Sequence, residues 1–377
     1  MRASGKVSLR LGAAAVGLCM LVGPASALNG DWAMLNFDPH GHRDNLYETV
    51  LNTKSVKSLQ PVWKADIGDT RSAPAVVNGV VYAGTDDGHL YALDAVTGAT
   101  VWSVKLGSLI GSSPAVVNQI VYVATHDGQF FALDAASGTQ LWSKPLDFAS
   151  SESPTVSDGR VFIGDDRGIL YAFNARNGKA LWKTDQFASG NLDAPAVANG
   201  IVYSQSYGGY LDAIDAATGT KLWVVYIDHG IGFGSPLVDG NQVYVNSSGL
   251  IQSLNAKTGA QVWESGLGAN ENGSLALAKG VLYGATEDHL IWRYKADFGQ
   301  LGKLSDGHHA FNAAPTIANG VLYAVSMSDQ LVAAYNATSG KFLWSGPLDA
   351  RPWVSPVVSN GRLYVAAGSL TAYAPQD

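Results

Sequence analysis

"ALDAVTGATVW" (Ala92–Trp102) returns forty residues later as "ALDAASGTQLW" (Ala132–Trp142), and this recurrence decides how the chain folds. The eleven-residue pattern comes back at Ala172–Trp182, Ala213–Trp223, Ser253–Trp263 and Ala334–Trp344. Its closing tryptophans are Trp102, Trp142, Trp182, Trp223, Trp263 and, after a double step, Trp344; Trp63 is an earlier member of the series. A second marker runs in phase: Pro74, Pro114, Pro154, Pro195, Pro236, Pro315 and Pro356, nearly all within Ser-Pro or Ala-Pro. The double gap holds a degenerate copy, "SLALAKGVLYGATEDHLIWRYKA" (Ser274–Ala296), with Leu275 in the proline's place. A fixed period of this size marks a repeat architecture.

Each unit reads as four short strands. The first splits into runs rich in Val, Tyr, Leu and Trp, with turns at Asn78-Gly79, Asp87-Gly88 and Thr97-Gly98. No helix fits between them, so a parallel βαβ arrangement fails. The fold class is therefore all-β: an eight-bladed β-propeller of four-stranded antiparallel blades. Gly-His and Trp-Asp markers of the WD type are missing. Asp94 and Thr97 suit a turn, Gly98 allows positive φ, and Trp102 is placed to dock on the neighbouring blade. Burying such a ring contributes about 4–6 kcal/mol as an upper bound. These tryptophans read as structure and not as chemistry.

The chain ends imply how the ring shuts. The last unit, beginning at Ser355, stops after three strands, whereas "LQPVWKADIG" (Leu59–Gly68) is a tryptophan strand with no blade before it. Pairing Val62–Ile67 with the strand around Leu370–Tyr373 would complete the eighth blade and remove two sheet edges. Three regions follow: 1–27 a signal peptide, 28–60 a strap, and 61–377 the propeller. Arg2, Lys6 and Arg10 precede the apolar "LGAAAVGLCMLVG", and "PASA" ends at Ala27 as a cleavage site. The expected location is periplasmic or extracellular. The sole cysteine, Cys19, lies inside this leader with a bulky Leu18 before it, so a lipidated alternative is disfavoured. Cleavage would take the net charge from −7 to about −10. An acidic chain without basic runs excludes nucleic acid as a partner. No stretch is long enough for a transmembrane helix.

The string A-x-D-x-x-T-G-x-x-x-W, matched at Ala92–Trp102 and Ala213–Trp223, resembles the docking motif of the pyrroloquinoline-quinone (PQQ) propeller family. Asp31-Trp32, Arg43 and Leu51-Asn52 resemble that family's leading strap. The resemblance implies one of two roles. Quinoprotein alcohol dehydrogenases hold the quinone and a calcium ion on top of the ring. Non-catalytic eight-bladed members act as scaffolds in outer-membrane barrel assembly. The dehydrogenase branch places two adjacent cysteines against the quinone and carries long upper loops; a cysteine-free mature chain departs from that pattern. The resemblance is therefore nearest to the non-catalytic members.

Candidate ligand-binding residues sit in the loops leading into each first strand, which share a face with the loops joining second to third strands. These are Arg71, Glu152, Asp193, His229, Phe233, His308, Phe311, Arg351 and Trp353. Arg71 and Arg351, in adjacent blades, suit a carboxylate or phosphate, though solvated rim arginines look the same. Glu152 and Asp193, with Glu271, would bracket calcium or be plain surface carboxylates. Trp353, Phe233 and Phe311 would stack a planar ligand or line the funnel mouth. His229, His308 and His309 lack zinc spacing, so no metal site is expected. No G-x-S-x-G, H-E-x-x-H, Walker or Rossmann signature occurs, so no catalytic residue is assigned. The expected function is an exported, monomeric, non-catalytic binding or scaffold propeller. Its partner is a protein or peptide, and no cofactor is expected. The alternative is a short oxidoreductase using PQQ with calcium on alcohols or sugars.

Overall fold

In the computed structural model the described residues are 30–376, apart from 185–193, 207, 228–233, 248, 267–272, 287–289, 298, 305–308, 310 and 312. The leader and Cys19 thus lie outside them, as do Asp193, His229, Phe233 and His308. The strands form eight sheets in a ring, each with four blade strands. Blade 1 comprises Ala75–Val77, Val80–Gly84, His89–Asp94 and Thr100–Lys105, each antiparallel to the next. Blades 2 to 7 repeat that order. The degenerate copy is blade 6, built from Ala276–Ala278, Val281–Ala285, Ile291–Lys295 and Gly299–Lys303, and Leu275 is buried before it.

Blade 8 joins the two ends of the chain. Leu59–Ala65 pairs antiparallel with Leu370–Pro375, with Trp63 opposite Ala372 and Ala65 opposite Leu370. The strand starts three residues before the Val62 expected from the sequence, because a 3₁₀ turn at Ser55–Ser58 delivers the chain to Leu59.

The repeated letters each do local work. Asp94 Oδ1 accepts N–H bonds from Val96 and Thr97 at 3.0 and 2.7 Å and the Thr97 hydroxyl at 2.8 Å. Gly98 has φ +72°, and a Cβ there would lie 2.7 Å from the Trp63 ring. The glycine therefore leaves room for the preceding blade's indole as well as relaxing the turn. Each indole N–H then donates across the seam. Trp63 reaches the Ala95 carbonyl, Trp102 Ala135, Trp142 Ala175, Trp182 Ala216, Trp223 Ala256 and Trp263 Ala296, at 2.8–3.1 Å. Trp344 closes onto the Leu59 carbonyl at 3.0 Å. Tyr82, Tyr122, Tyr203 and Tyr244 send their hydroxyls to the same alanine carbonyls.

The strap threads the hub. In six blades the second residue of the first strand donates its N–H to a strap carbonyl. Val116 donates to Ala33, Val197 to Pro39, Val238 to His40, Leu277 to His42 and Ile317 to Arg43, at 2.7–2.9 Å, and Trp32 pairs with Val76. Inner strand edges are thereby satisfied. Gly41 (φ +86°) allows the close approach to blade 5, where a Cβ would sit 2.7 Å from the Pro236 carbonyl.

A clasp fixes this turn of the strap. Asp38 Oδ1 accepts the N–H groups of His40, Gly41 and His42, and Oδ2 lies 2.7 Å from His42 Nδ1. His42 Nε2 lies 2.9 Å from the Val238 carbonyl. Two oxygen partners make both ring nitrogens donors, which is the imidazolium form. Burial works against both charges, but the Asp38–His42 hydrogen bond and mutual attraction outweigh it. His42 is accordingly raised and Asp38 lowered from their ordinary values.

Trp142 is 8% exposed, whereas Trp353 is 60% exposed. We expect Trp142→Ala to cost about 3–5 kcal/mol in urea unfolding and Trp353→Ala less than about 0.5. Deleting residues 28–68 should lower the melting temperature sharply; an unchanged value would refute closure by the N-terminal strand. The His42 contribution is present below its unfolded pKa of about 6.5 and lost as pH rises through its raised folded value. That of Asp38 is lost as pH falls through its lowered value. The melting-temperature gap between wild type and His42→Gln should therefore be widest near pH 5–6 and narrow toward pH 9.

Candidate functional site

The strap floors a funnel that opens among the leading loops. A cavity of about 160 Å³ is lined by Leu35 and Arg43 below, by Ser113, Ser153, Ser274 and Ser355 around, and by Arg71 and Trp353 above. Ser-Pro pairs account for Ser113, Ser153 and Ser355, and Ser274 holds the matching place before Leu275. Proline has no N–H, so the residue before it supplies the donor at this edge. Ala73 N–H donates to Ser113 Oγ, Ser113 N–H to Ser153 Oγ, and Ser235 N–H to Ser274 Oγ, each at 2.9 Å. These hydroxyl oxygens tie blade to blade and face the funnel already engaged.

Arg43 is the buried cation of the floor, 1% exposed. Its Nε donates to the Pro315 carbonyl at 3.1 Å, and Nη1 to Asn36 Oδ1 at 2.7 Å and the Leu35 carbonyl at 3.3 Å. The sequence marked Arg43 only as part of the strap. What placed it under the funnel was tertiary: Ile317 binding its backbone carbonyl turns the side chain to the axis.

Of the loop candidates, Arg71 and Trp353 meet at this cavity. Arg71 Nε is 3.2 Å from Asp86 Oδ2 in an exposed pair, worth under about 1 kcal/mol. Arg351 is exposed and does not line the cavity. Glu152 is 6% exposed within its loop, so it is no plain surface carboxylate. Phe311 requires a correction. It is fully buried, packed edge-on against Tyr335 at 6.0 Å in the core between blades 6 and 7, and it does not reach the funnel. The backbone bridge from Phe311 to Ser326 folds its loop back over the blade, so an aromatic in a loop became core. Asp329 holds His309 at 3.1 Å.

Among the described residues, Asp38, His40 and His42 gather metal-ligand atoms within 4.8 Å of one another. The D-x-H-x-H spelling was the signal for this group. Both His42 nitrogens are committed to oxygens, however, and the group serves as the clasp described above. The acidic stretch Asp165–Gly168 is a turn, since Asp165 accepts the N–H groups of Arg167 and Ile169 and the Tyr171 hydroxyl.

Comparison with known proteins agrees with this architecture. The family described as "Outer membrane protein assembly factor BamB" matches residues 54–184, 144–280 and 278–377. BamB from Moraxella catarrhalis superposes with TM-score 0.72 at 19% identity, covering 84% of this chain and 99% of that one. A europium-containing methanol dehydrogenase superposes with TM-score 0.80 at 14% identity, covering 92% and 98%. Such identities establish a shared fold. The dehydrogenase subunit of a quinone alcohol dehydrogenase from Gluconobacter oxydans (strain 621H) is 34% identical over 79 residues, 20% of this chain and 10% of that protein. With an eight-bladed ring, seven indoles docked across its seams and the family match running from residue 54 to the C-terminus, the chain belongs to the PQQ-like propeller family of the outer membrane protein assembly factor BamB.

Proposed function

We propose that this protein is an exported, non-catalytic binding propeller of the cell envelope, receiving a protein or extended peptide on the leading-loop face. One observation carries the reading. The funnel is a cup of about 160 Å³, below the roughly 300–1,000 Å³ of small-molecule sites, and its wall serines Ser113, Ser153 and Ser274 accept inter-blade N–H bonds. What the face offers instead is rim chemistry: the exposed Trp353 and the Arg71–Asp86 pair on a rigid scaffold. Aromatic and arginine side chains of this kind anchor protein interfaces. The assembly-factor family description supports a partner among outer-membrane proteins.

The second reading is a short PQQ- and calcium-dependent oxidoreductase acting on alcohols or sugars. The arginines at the funnel and the fold shared with quinone dehydrogenases favour it. Bound PQQ would supply two-electron oxidation. The described lining residues do not fit the calcium: they include no carboxylate or carboxamide.

Two measurements test this. A photo-crosslinking residue at Trp353 should trap a specific protein in the envelope, while one at Thr218, on an opposite-face hairpin, should not; equal trapping at both refutes the loop-face assignment. Calorimetry with PQQ up to about 100 μM, with and without calcium, should show no binding. Tight calcium-dependent binding abolished by Arg71→Ala would establish the second reading instead.

A further inference from the structure

Seven seams of the ring are filled by an indole; the seam between blades 6 and 7 is different. Trp102 pairs with Ala92, and the matching pair in blade 6 is Gly302 with Arg293. Arg293 Nη1 bonds the Thr338 carbonyl at 2.6 Å, one residue beyond the carbonyl that receives Tyr283. Beside this seam, on the face opposite the funnel, lies a cavity of about 210 Å³.

One wall of the cavity is Asp44. Its position is fixed from both sides, by Ile317 donating to the Arg43 carbonyl and by the Asn45 side chain bonding the Gly30 and Val358 carbonyls. Arg43 therefore faces the funnel and Asp44 the seam. The Asp44 side chain is buried, at 6% exposure of the residue, and makes no hydrogen bond or ion pair among the described residues. Glu48, also on the wall, is already taken, with its oxygens accepting the N–H groups of Val50, Leu51 and Gly361. Lys279 lines the cavity without reaching Asp44. The carboxyl opens into the cavity with no protein cation or donor on it among the described residues, and an incoming cation would complete it. A single available carboxylate is too few for a divalent metal but suits one guanidinium or ammonium group. At the mouth, Leu46 is 68% exposed, and Tyr47 and Val50 follow it along the strap at 48% and 52%.

We propose that the strap and the blade 6–7 seam form a second docking surface, in which Asp44 receives an arginine or lysine side chain of a partner polypeptide and the apolar strap residues cover its flanks. This surface is independent of the funnel. Burial pushes the Asp44 carboxyl up to about 7, against the pull of His42 and Lys279, with Asp38 acting the other way. Glu48 and Tyr283 complete the titratable surroundings, and blade 7 contributes the neutral Asn319 and Thr338.

Ligand-detected NMR on the whole mature chain tests the proposal with butylguanidinium, its neutral isostere butylurea, and the blocked peptide acetyl-Leu-Arg-Leu-amide. Butylguanidinium should bind at least about fivefold tighter than butylurea, and Asp44→Asn should abolish the difference. Its affinity should rise about tenfold from pH 6 to pH 8 in wild type and stay flat in Asp44→Asn. Asp44→Asn removes a buried charge, so its melting temperature should hold, which keeps the comparison readable. The peptide should bind tighter than butylguanidinium, and Leu46→Ser should erase that gain alone. Equal binding of butylguanidinium and butylurea, or persistence in Asp44→Asn, overturns the cation pocket. A peptide no tighter than butylguanidinium overturns the polypeptide partner.

Discussion

Everything in this ring depends on one contact repeated around it: an indole laid against the next blade, over a glycine at five seams, with its N–H on a backbone carbonyl of that blade. The contact is both apolar and polar. The ring hides surface, and the bond satisfies a carbonyl that the seam would otherwise bury unpaired. A second donor, the tyrosine hydroxyl of the second strand, converges on the same carbonyl at five seams. Blades are thus joined edge to face with a fixed offset. The same seven-fold use of tryptophan explains why the one seam lacking it differs from the rest.

The strap adds a constraint of another kind. Sheets arranged radially leave their innermost strands with N–H groups aimed at the axis. One segment, Trp32 to Asn45, offers carbonyls to six of those groups, and the Asn45 carboxamide donates to the Val358 carbonyl, which floors the hub. The floor divides the chemistry of neighbouring residues. Arg43, whose backbone takes a positive φ of 55°, lines the funnel on one side, and Asp44 lines the seam cavity on the other. One residue therefore belongs to the funnel and its neighbour to the seam cavity. The Asp38–His42 clasp holds the strap's turn that makes this possible.

Much of the site was beyond the reach of sequence reading. Arg71 and Trp353 were legible, because irregular loop residues on a monotonous scaffold stand out. Phe311 misled because loop position and burial are different properties; a loop that bridges back onto Ser326 carries its aromatic into the core. Glu152 misled for the same reason. The serines of the wall had been visible only as companions of proline, and their role as inter-blade acceptors depends on where the next blade's backbone lies. Asp38, His40 and His42 stood in plain sight as alternating letters, yet only the Val238 carbonyl opposite His42 decides between a ligand set and a clasp.

The sequence alone determined the class, the blade count and the closure of the ring. Periodicity survives because most repeats meet a similar neighbour, so the same glycine, alanine and tryptophan recur at most seams. Local turn chemistry was equally determined, since Asp94 and Gly98 act within their own hairpin. Tertiary structure decided which side chains meet across the hub and the seams. Those meetings join residues hundreds of positions apart, such as Arg43 with Pro315 and Asn45 with Val358, and no local spacing encodes them.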